Sequence, residues 1–246
     1  MKQNLRSLIK KTPIVGPTCK FLNRVFLQLQ KPFLLPSRQL QWRLRGKRNL
    51  VVLQIGSNDG LATDPIHDLL MKNRDWRAFL VEPVPVLFEK LKHAYQGRDR
   101  TSFLNIAVSD KNQITNFYHL DDVPNEIRAN FPDWYDQLGS FDKAHIVSHL
   151  GTSCENYIKT LEVNTLRFSD LLKNYGIEKL DLLHIDTEGH DWIILKQLDF
   201  NQVMPIIILF ENKHLSKKDI SEFYEKCQSF YSITNLGADY LCQLKK

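Results

Sequence analysis

Features that define several protein classes are missing from this chain of 246 residues. The longest apolar run, residues 206–210, falls far short of the roughly 18 residues that a membrane-spanning helix needs. Four cysteines without paired spacing argue against a disulfide framework and favour a reducing compartment. The basic start lacks the apolar core and cleavage site of a secretory signal. We therefore expect a cytoplasmic protein that does not span a membrane.

Acidic residues are missing from the first part of the chain. Residues 1–48 hold 12 of the 33 Lys and Arg side chains and none of the 28 Asp and Glu side chains. Apolar side chains recur at helical spacing in residues 21–29, which predicts a basic amphipathic helix. This helix could pack on the rest of the protein, lie on an anionic membrane surface as a peripheral contact, or serve in targeting to an organelle. No RNA-binding motif is present, so we expect no nucleic-acid partner.

The remainder, residues 49–246, is predicted to form a single α/β domain. Strands are predicted at residues 50–55, 77–82, 102–108, 113–118, 161–165, 180–185, 205–210, 231–236 and 239–244. Helices are predicted at residues 62–73, 84–96, 168–175, 190–198 and 217–229. This alternation indicates a mostly parallel sheet with helices on both faces. The last two strands read as a hairpin, so the final strand should be antiparallel.

The dinucleotide motif G-x-G-x-x-G is also missing. Residues 53–60 read LQIGSNDG, with glycine only at the fourth and eighth positions, and the sequence VEP follows at residues 81–83. A strand, a glycine turn and a second strand that ends in a carboxylate form the nucleoside site of open α/β sheets. Without the middle glycine, the spacing favours S-adenosylmethionine over a nicotinamide dinucleotide.

The residues of this motif have expected roles in holding the cofactor. Gly56 lets the backbone approach a ligand closely, and Gly60 opens a helix whose N–H groups favour a carboxylate. Glu82 can accept hydrogen bonds from both ribose hydroxyls, and Pro83 ends its strand. The polar groups for the amino-acid end of the cofactor are Gln54, Ser57, Asn58 and Asp59, of which Asp59 can pair with the ammonium group.

An insertion at residues 119–160 breaks the alternation of strands and helices. It is acidic and carries several aromatic residues, including Trp134 and Phe141. Long insertions in compact domains often form lids or binding loops. We therefore interpret residues 119–160 as a cap that binds the acceptor.

Four potential metal ligands also lie in this insertion. His145 and His149 are four residues apart and could share a helix face, and His119 and Cys154 are the other two. Their spacing is not that of a structural zinc site. We therefore expect hydrogen-bonded or solvated side chains here and no metal.

A second polar turn, IDTEGHD at residues 185–191, follows the strand predicted at residues 180–185. Ligands of open α/β sheets bind at the carboxyl ends of the strands. Asp186, Glu188 and His190 should therefore face the same crevice as the first motif.

Together these motifs resemble the FkbM-type S-adenosylmethionine-dependent methyltransferases over about residues 50–245. The resemblance rests on LQIGSNDG, VEP, NIAVSD at residues 105–110, VNTLRFSDLL at residues 163–172, and IDTEGHD. It implies a class I methyltransferase fold, which is a Rossmann-like seven-stranded sheet with an antiparallel last strand. It also implies O-methylation of a sugar, a glycan or another hydroxylated metabolite.

The resemblance assigns roles to further residues. It places Asn105, Ala107 and Val108 beside the adenine, and it assigns Asp186, Glu188 and His190 to the catalytic motif. Many members of the family carry Asp at the position of Gln54 and Lys at the position of His184.

Methyl transfer to oxygen needs a base, for which we expect His190 or Asp186, while Glu188 orients the acceptor or the histidine. A divalent metal bound by Asp186 with Glu211 or Asn212 is an alternative. Two other functions remain open at this stage. One is a Rossmann-type oxidoreductase, and the other is a non-catalytic protein of this fold that docks on a membrane or partner through residues 1–48.

Overall fold

The computed structural model describes residues 35–61 and 64–246. The amphipathic helix predicted at residues 21–29 lies outside the described residues. The described strands are β1 (Val51–Ile55), β2 (Arg77–Val81), β3 (Thr101–Leu104), β4 (Ala107–Ser109), β5 (Gln113–Leu120), β6 (Gly139–Ser140), β7 (Ile158–Arg167), β8 (Leu182–Ile185), β9 (Ile207–Glu211), β10 (Tyr231–Asn235) and β11 (Asp239–Leu244). The described α-helices are α1 (Pro36–Leu44), α2 (His67–Lys72), α3 (Pro85–Ala94), α4 (Asn125–Arg128), α5 (Lys143–Leu150), α6 (Phe168–Asn174), α7 (Asp191–Leu195) and α8 (Lys217–Cys227).

Seven strands form the main sheet, in the order β10-β11-β9-β8-β1-β2-β3. The five strands from β9 to β3 pair in parallel. The last strand, β11, lies between β9 and β10 and is antiparallel to both. The structure thus confirms the predicted mostly parallel sheet and its antiparallel last strand.

The core lies on both faces of this sheet because its central strands are apolar on both sides. In β1, Leu53 and Ile55 belong to one buried cluster with residues of α6, α7 and α8. Val52, which points to the opposite face, belongs to a second cluster with residues of α1, α2 and α3. The prediction of helices on both faces is therefore confirmed.

A short helix precedes the predicted domain boundary at residue 49. Helix α1 lies within the predicted basic segment, yet its Leu40 and Leu44 are 0% and 2% exposed and pack with Leu50 and Val52 of the sheet. The high charge of residues 1–48 conceals this short apolar face. Helix α1 therefore packs on the core of residues 49–246, and the division at residue 49 stays a prediction.

A second sheet of four strands stands beside the main one, in the order β4-β7-β5-β6. It corrects the strand predicted at residues 102–108, which is divided into β3 of the main sheet and β4 of the second sheet. Strand β5 pairs along its whole length with residues 158–165 of β7, and the two strands carry residues 119–160 at their ends.

Two predicted helices are shorter than expected. Helix α2 begins at His67, and residues 64–66 before it are not helical, because the Asp64 carboxylate accepts a hydrogen bond from the Ile66 N–H and holds them in a turn. Residues 62–63 of the predicted helix lie outside the described residues. Gly60 therefore lies in a turn and does not open the helix. Helix α7 spans only Asp191–Leu195. Within the described part of the chain, no helix is both long and apolar enough to cross a membrane.

Candidate active site

One cleft of about 260 Å³ lies where the carboxyl ends of β1, β2, β8 and β9 meet the second sheet and the insertion. Its lining includes ten of the residues that the sequence predicted for the site. These are Gln54, Gly56, Ser57, Asn58, Glu82, Pro83, Ala107, Val108, Asp186 and Glu188. The structure therefore brings the two predicted motifs together, although they are more than a hundred residues apart in the sequence.

Gly56 makes the turn that follows β1. Its φ angle is +80°, and a Cβ atom placed on it would lie 1.7 Å from the carbonyl oxygen of Asp186. The amides of Gly56 and Ser57 both donate to the carbonyl oxygen of Val81, which ties this turn to the end of β2. Only glycine combines this backbone conformation with so close an approach to the neighbouring strand.

The Glu82 carboxylate is held from two sides at the end of β2. Its Oε1 atom accepts from the Val84 N–H and its Oε2 atom from the Asn58 N–H, each at 2.9 Å. Burial raises the pKa of Glu82 to about 7, although the two amide hydrogen bonds act in the opposite direction. The charge of Asp59 raises this pKa further. The side chain is thus a fixed acceptor that titrates near neutral pH.

A buried amide–carboxylate pair lies beside the glycine turn. Gln54 Nε2 donates to Asp64 Oδ1 at 3.2 Å, and the hydroxyl of Tyr95 donates to Asp64 Oδ2 at 3.1 Å. Gln54 Oε1 is left buried and without a hydrogen-bond partner among the described residues. Burial raises the pKa of Asp64 to about 6. The sequence did not identify Asp64, because nothing in its local pattern links it to Gln54.

Three of the predicted cofactor residues do not line the cleft. Asp59 Oδ1 accepts from the Leu61 N–H, and Gly60 is buried against Leu91 and Tyr95. Asn105 Nδ2 donates to the carbonyl oxygens of Glu82 and Pro83. Asn105 therefore supports the loop that carries Glu82 instead of contacting the cleft itself.

His190, a predicted catalytic residue, also lies outside the lining. Its Nε2 atom is 3.0 Å from Ser109 Oγ, and its ring lies 4.6 Å from the ring of Phe141. Burial lowers the pKa of His190 to about 4, an effect that the charge of Asp110 only partly offsets. His190 is therefore a neutral side chain at pH 7 and is already hydrogen-bonded.

Asp186 opens into the cleft just after β8 and is surrounded by other carboxylates. Removal from bulk water raises its pKa well above the ordinary value, and the charges of Asp191, Glu211, Glu188 and Asp239 raise it further. Burial raises the pKa of Asp191 to about 7, and that of Glu211 to about 8. Asp186 is thus a carboxylate with a raised pKa that faces the cleft.

Comparison with known families identifies the domain. The family model described as Methyltransferase FkbM domain matches residues 54–235. The chain belongs to this family. It is therefore a methyltransferase, and the family implies S-adenosylmethionine as the cofactor. The match covers both motifs and the insertion between them.

Solved structures resemble this FkbM-domain methyltransferase at low identity. A chain of the fibrillarin/Nop5p complex is 14% identical with a TM-score of 0.44, over 86% of this chain and 83% of that chain. Precorrin-6y C5,15-methyltransferase from Geobacter metallireducens is 10% identical with a TM-score of 0.42, over 88% and 87%. Ribosomal protein L11 methylase from Lactobacillus delbrueckii subsp. bulgaricus is 7% identical with a TM-score of 0.44, over 86% and 77%. No curated protein sequence matches the chain.

In the FkbM-domain methyltransferase, Glu188 contacts histidines other than the predicted one. Its Oε2 atom is 3.2 Å from His145 Nε2 and 3.6 Å from His214 Nε2. Burial acts to raise the pKa of Glu188, but the hydrogen bond and charge of His145, together with the charges of His214 and Lys213, lower it overall. Glu188 thus orients His145 instead of His190.

The insertion contributes residues to the cleft that the sequence named only as a group. Trp134, Gln137, Gly139 and Phe141 all line it. The lining also includes Phe117 of β5, for which no sequence pattern indicated a role. The aromatic composition of residues 119–160 was the available signal, but only the tertiary structure shows which of these side chains reach the cleft.

Proposed function

We propose that this FkbM-domain methyltransferase transfers a methyl group from S-adenosylmethionine to a hydroxyl group of a sugar, a glycan or another hydroxylated metabolite. The observation that carries the proposal is the position of Asp186. Its carboxylate lies in the same cleft as Glu82 and the unpaired Gln54 Oε1 atom. A base and two acceptors suited to the cofactor thus converge on one site.

The residues present fit S-adenosylmethionine. Gln54 Oε1 is a buried acceptor in need of a donor, and the ammonium group of the cofactor can provide one. Glu82 has a fixed carboxylate at the strand end where a ribose is held in folds of this kind. At Gly56 the missing side chain lets a ligand approach the backbone.

The charge of the cleft supports this cofactor over a dinucleotide. The lining contains five carboxylic acids, Asp64, Glu82, Asp186, Glu188 and Glu211, and Lys213 is its one lysine among the described residues. Those of the carboxylates that are ionised, Glu188 first among them because its pKa is lowered, repel a diphosphate and attract the sulfonium and ammonium groups of S-adenosylmethionine. The oxidoreductase that the sequence left open is therefore disfavoured on electrostatic grounds.

Among the predicted bases, we assign the role to Asp186. The bound cofactor supplies a methyl group that its sulfonium has already activated. As the acceptor oxygen forms its bond to the methyl carbon and the carbon–sulfur bond breaks, Asp186 takes up the hydroxyl proton. Its raised pKa brings this carboxylate closer to the strength that a base needs near neutral pH. His190, with a pKa of about 4 and a hydrogen bond to Ser109, is less suited.

The cleft also suits an acceptor with several hydroxyl groups. Trp134 is 40% exposed and lines the cleft with Phe141, so aromatic surfaces are available for the apolar faces of a sugar ring. Carboxylates such as Glu211 can accept hydrogen bonds from its hydroxyls. Residues 119–160 then act as the acceptor cap, as the sequence predicted.

Methyl transfer by the Asp186→Asn and His190→Gln variants tests the proposal. Transfer from S-adenosylmethionine with a labelled methyl group would be measured on a panel of glycans and hydroxylated metabolites. Asp186→Asn should lower kcat about 10²–10⁴-fold, the usual contribution of a general base, with little change in cofactor affinity. His190→Gln should retain turnover. Turnover that is intact in Asp186→Asn and lost in His190→Gln would contradict the assigned base, and methylation at nitrogen or carbon would contradict the reaction.

A further inference from the structure

Three histidines and one carboxylate converge at the rim of the cleft. His145 and His149 lie on α5 of the insertion, Glu188 lies in the turn after β8, and His214 follows β9. One ligand atom from each residue lies within 4.8 Å of the corresponding atoms of the other three. The four side chains come from three separate segments of the chain, so only the fold brings them together.

The hydrogen bonds of this His-Glu cluster leave ring nitrogens free to bind a ligand. His149 Nδ1 lies 2.9 Å from the carbonyl oxygen of His145, and a carbonyl can only accept, so Nδ1 carries the proton. Nε2 of His149 is then the unprotonated nitrogen. A histidine whose other N–H donates to a backbone carbonyl is the usual arrangement of a metal ligand.

His214 and the turn beside it provide independent support. His214 Nε2 is buried and has no hydrogen-bond partner in the described part of the chain, although Glu211 Oε2 lies 3.5 Å away and Glu188 Oε2 lies 3.6 Å away. At Gly189, where φ is +95°, a Cβ atom would lie 3.6 Å from His214 and 3.7 Å from His145. These are ordinary van der Waals distances, so the turn beside Glu188 lies directly against both histidines, and its positive φ is what favours glycine there.

From these observations we propose that His145, His149, Glu188 and His214 bind a divalent transition-metal ion, with Zn²⁺ as the best match. Neighbouring ligand atoms of a tetrahedral zinc site are about 3.3 Å apart, given Zn–N bonds of about 2.0–2.1 Å. The contacts of 3.2 Å and 3.6 Å to Glu188 are close to this spacing. Three imidazoles favour zinc over magnesium or calcium, which prefer oxygen ligands.

The bound metal would fasten the insertion to the carboxyl edge of the main sheet. Two ligands belong to the cap helix α5, and the other two belong to turns that follow β8 and β9. Glu188 also lines the cleft, so the metal would fix the cap beside the site where the acceptor binds. Because the metal would bind the folded chain and not the unfolded chain, it should also raise the melting temperature of the protein.

The test uses full-length, tag-free protein that has been freed of metal with a chelator. Titration with Co²⁺, followed by its visible absorption, reports a tetrahedral site directly, and competition with Zn²⁺ gives the zinc affinity. The variants His149→Gln and His214→Gln remove one ligand from the cap and one from the sheet edge. His119→Gln is the matched control, because His119 lies in the insertion but outside the cluster.

Wild-type protein and His119→Gln should bind one ion, show the tetrahedral cobalt spectrum and melt at a higher temperature with zinc. His149→Gln and His214→Gln should bind about 100-fold more weakly or worse, since even the loss of a residue that supports a ligand costs about 10–100-fold. Circular dichroism would establish that both variants fold. Absence of stoichiometric binding by the wild type would overturn the proposal, as would wild-type affinity in both folded variants. The cobalt titration and the melting temperature are both measured without S-adenosylmethionine, so they test the metal site independently of the proposed methyl transfer.

Discussion

Gly56 and Glu82 belong to two adjacent turns, after β1 and β2, that both line the cleft. The turn at Gly56 fits against the backbone of Asp186, and the Glu82 carboxylate is bound by the amide of Asn58 from the same turn. The turn at Gly56 is thus held against the end of β8, and the Glu82 carboxylate is held by the turn that contains Gly56. A change at either one should disturb cofactor binding through the shape of the turn as well as through direct contact.

Replacement of Gly56 by alanine tests how far the close approach matters. Gly97→Ala is the matched control, because its φ is +76° but a Cβ there meets nothing within 4 Å. Gly97→Ala should lower the free energy of unfolding by about 1–2 kcal/mol, the cost of a left-handed residue. Gly56→Ala should cost about 1–3 kcal/mol more, because the methyl group overlaps a backbone carbonyl.

Urea unfolding of both variants, with calorimetry for cofactor binding, measures these effects. Gly97→Ala should retain cofactor affinity and Gly56→Ala should lose it. Equal destabilisation by the two changes would show that the backbone at Asp186 can move away from the new methyl group at no cost in free energy. That result would contradict the close approach between Gly56 and Asp186.

At this scale, the sequence identified residues whose signal is local. Gly56, Asn58 and Glu82 belong to a strand–turn–strand pattern that can be read within thirty residues. Glu188 was also selected correctly as a cleft residue, but its partner His145 is 43 positions away and on a different element. No spacing rule connects such residues, because tertiary packing alone brings them together.

Helix α1 shows the corresponding limit at the scale of elements. The twelve positive charges of residues 1–48 dominate the composition of that segment. In its described part, Leu40 and Leu44 are the residues that pack in the core. The strand predicted at residues 102–108 failed for a similar reason. Both of its halves are apolar, so the pattern could not show that they enter two different sheets.

The role of α1 in the core leads to a stability prediction. Leu40→Ala removes a side chain that is 0% exposed, and it should lower the free energy of unfolding by about 2–5 kcal/mol. Leu35→Ala, at a leucine that is 48% exposed, should change it by less than about 0.5 kcal/mol. Denaturant unfolding monitored by circular dichroism compares the two. A Leu40→Ala protein as stable as wild type would show that α1 does not belong to the domain.

For the whole molecule, the central feature is the contrast between an acidic cleft and a basic N-terminal segment. The acidic residues belong to the site that the family and the geometry identify. Residues 1–34 lie outside the described part of the chain, so peripheral membrane contact through them stays a prediction. The same holds for the expected cytoplasmic location and for the absence of a nucleic-acid partner.

The central claim is that the cleft binds the cofactor through Glu82, and calorimetric titration with S-adenosylhomocysteine tests it most directly. The titration would compare wild type, Glu82→Gln and the exposed control Glu89→Gln between pH 6 and pH 8. Wild type and Glu89→Gln should bind, and Glu82→Gln should bind about 10–100-fold more weakly, the value of a hydrogen bond to a charged group. Because burial raises the pKa of Glu82 to about 7 and the ribose requires its ionised form, affinity should increase as the pH rises through 7 and then level off. This pH dependence should be reduced in Glu82→Gln. Absence of binding to the folded wild type, or equal binding by Glu82→Gln, would contradict the account.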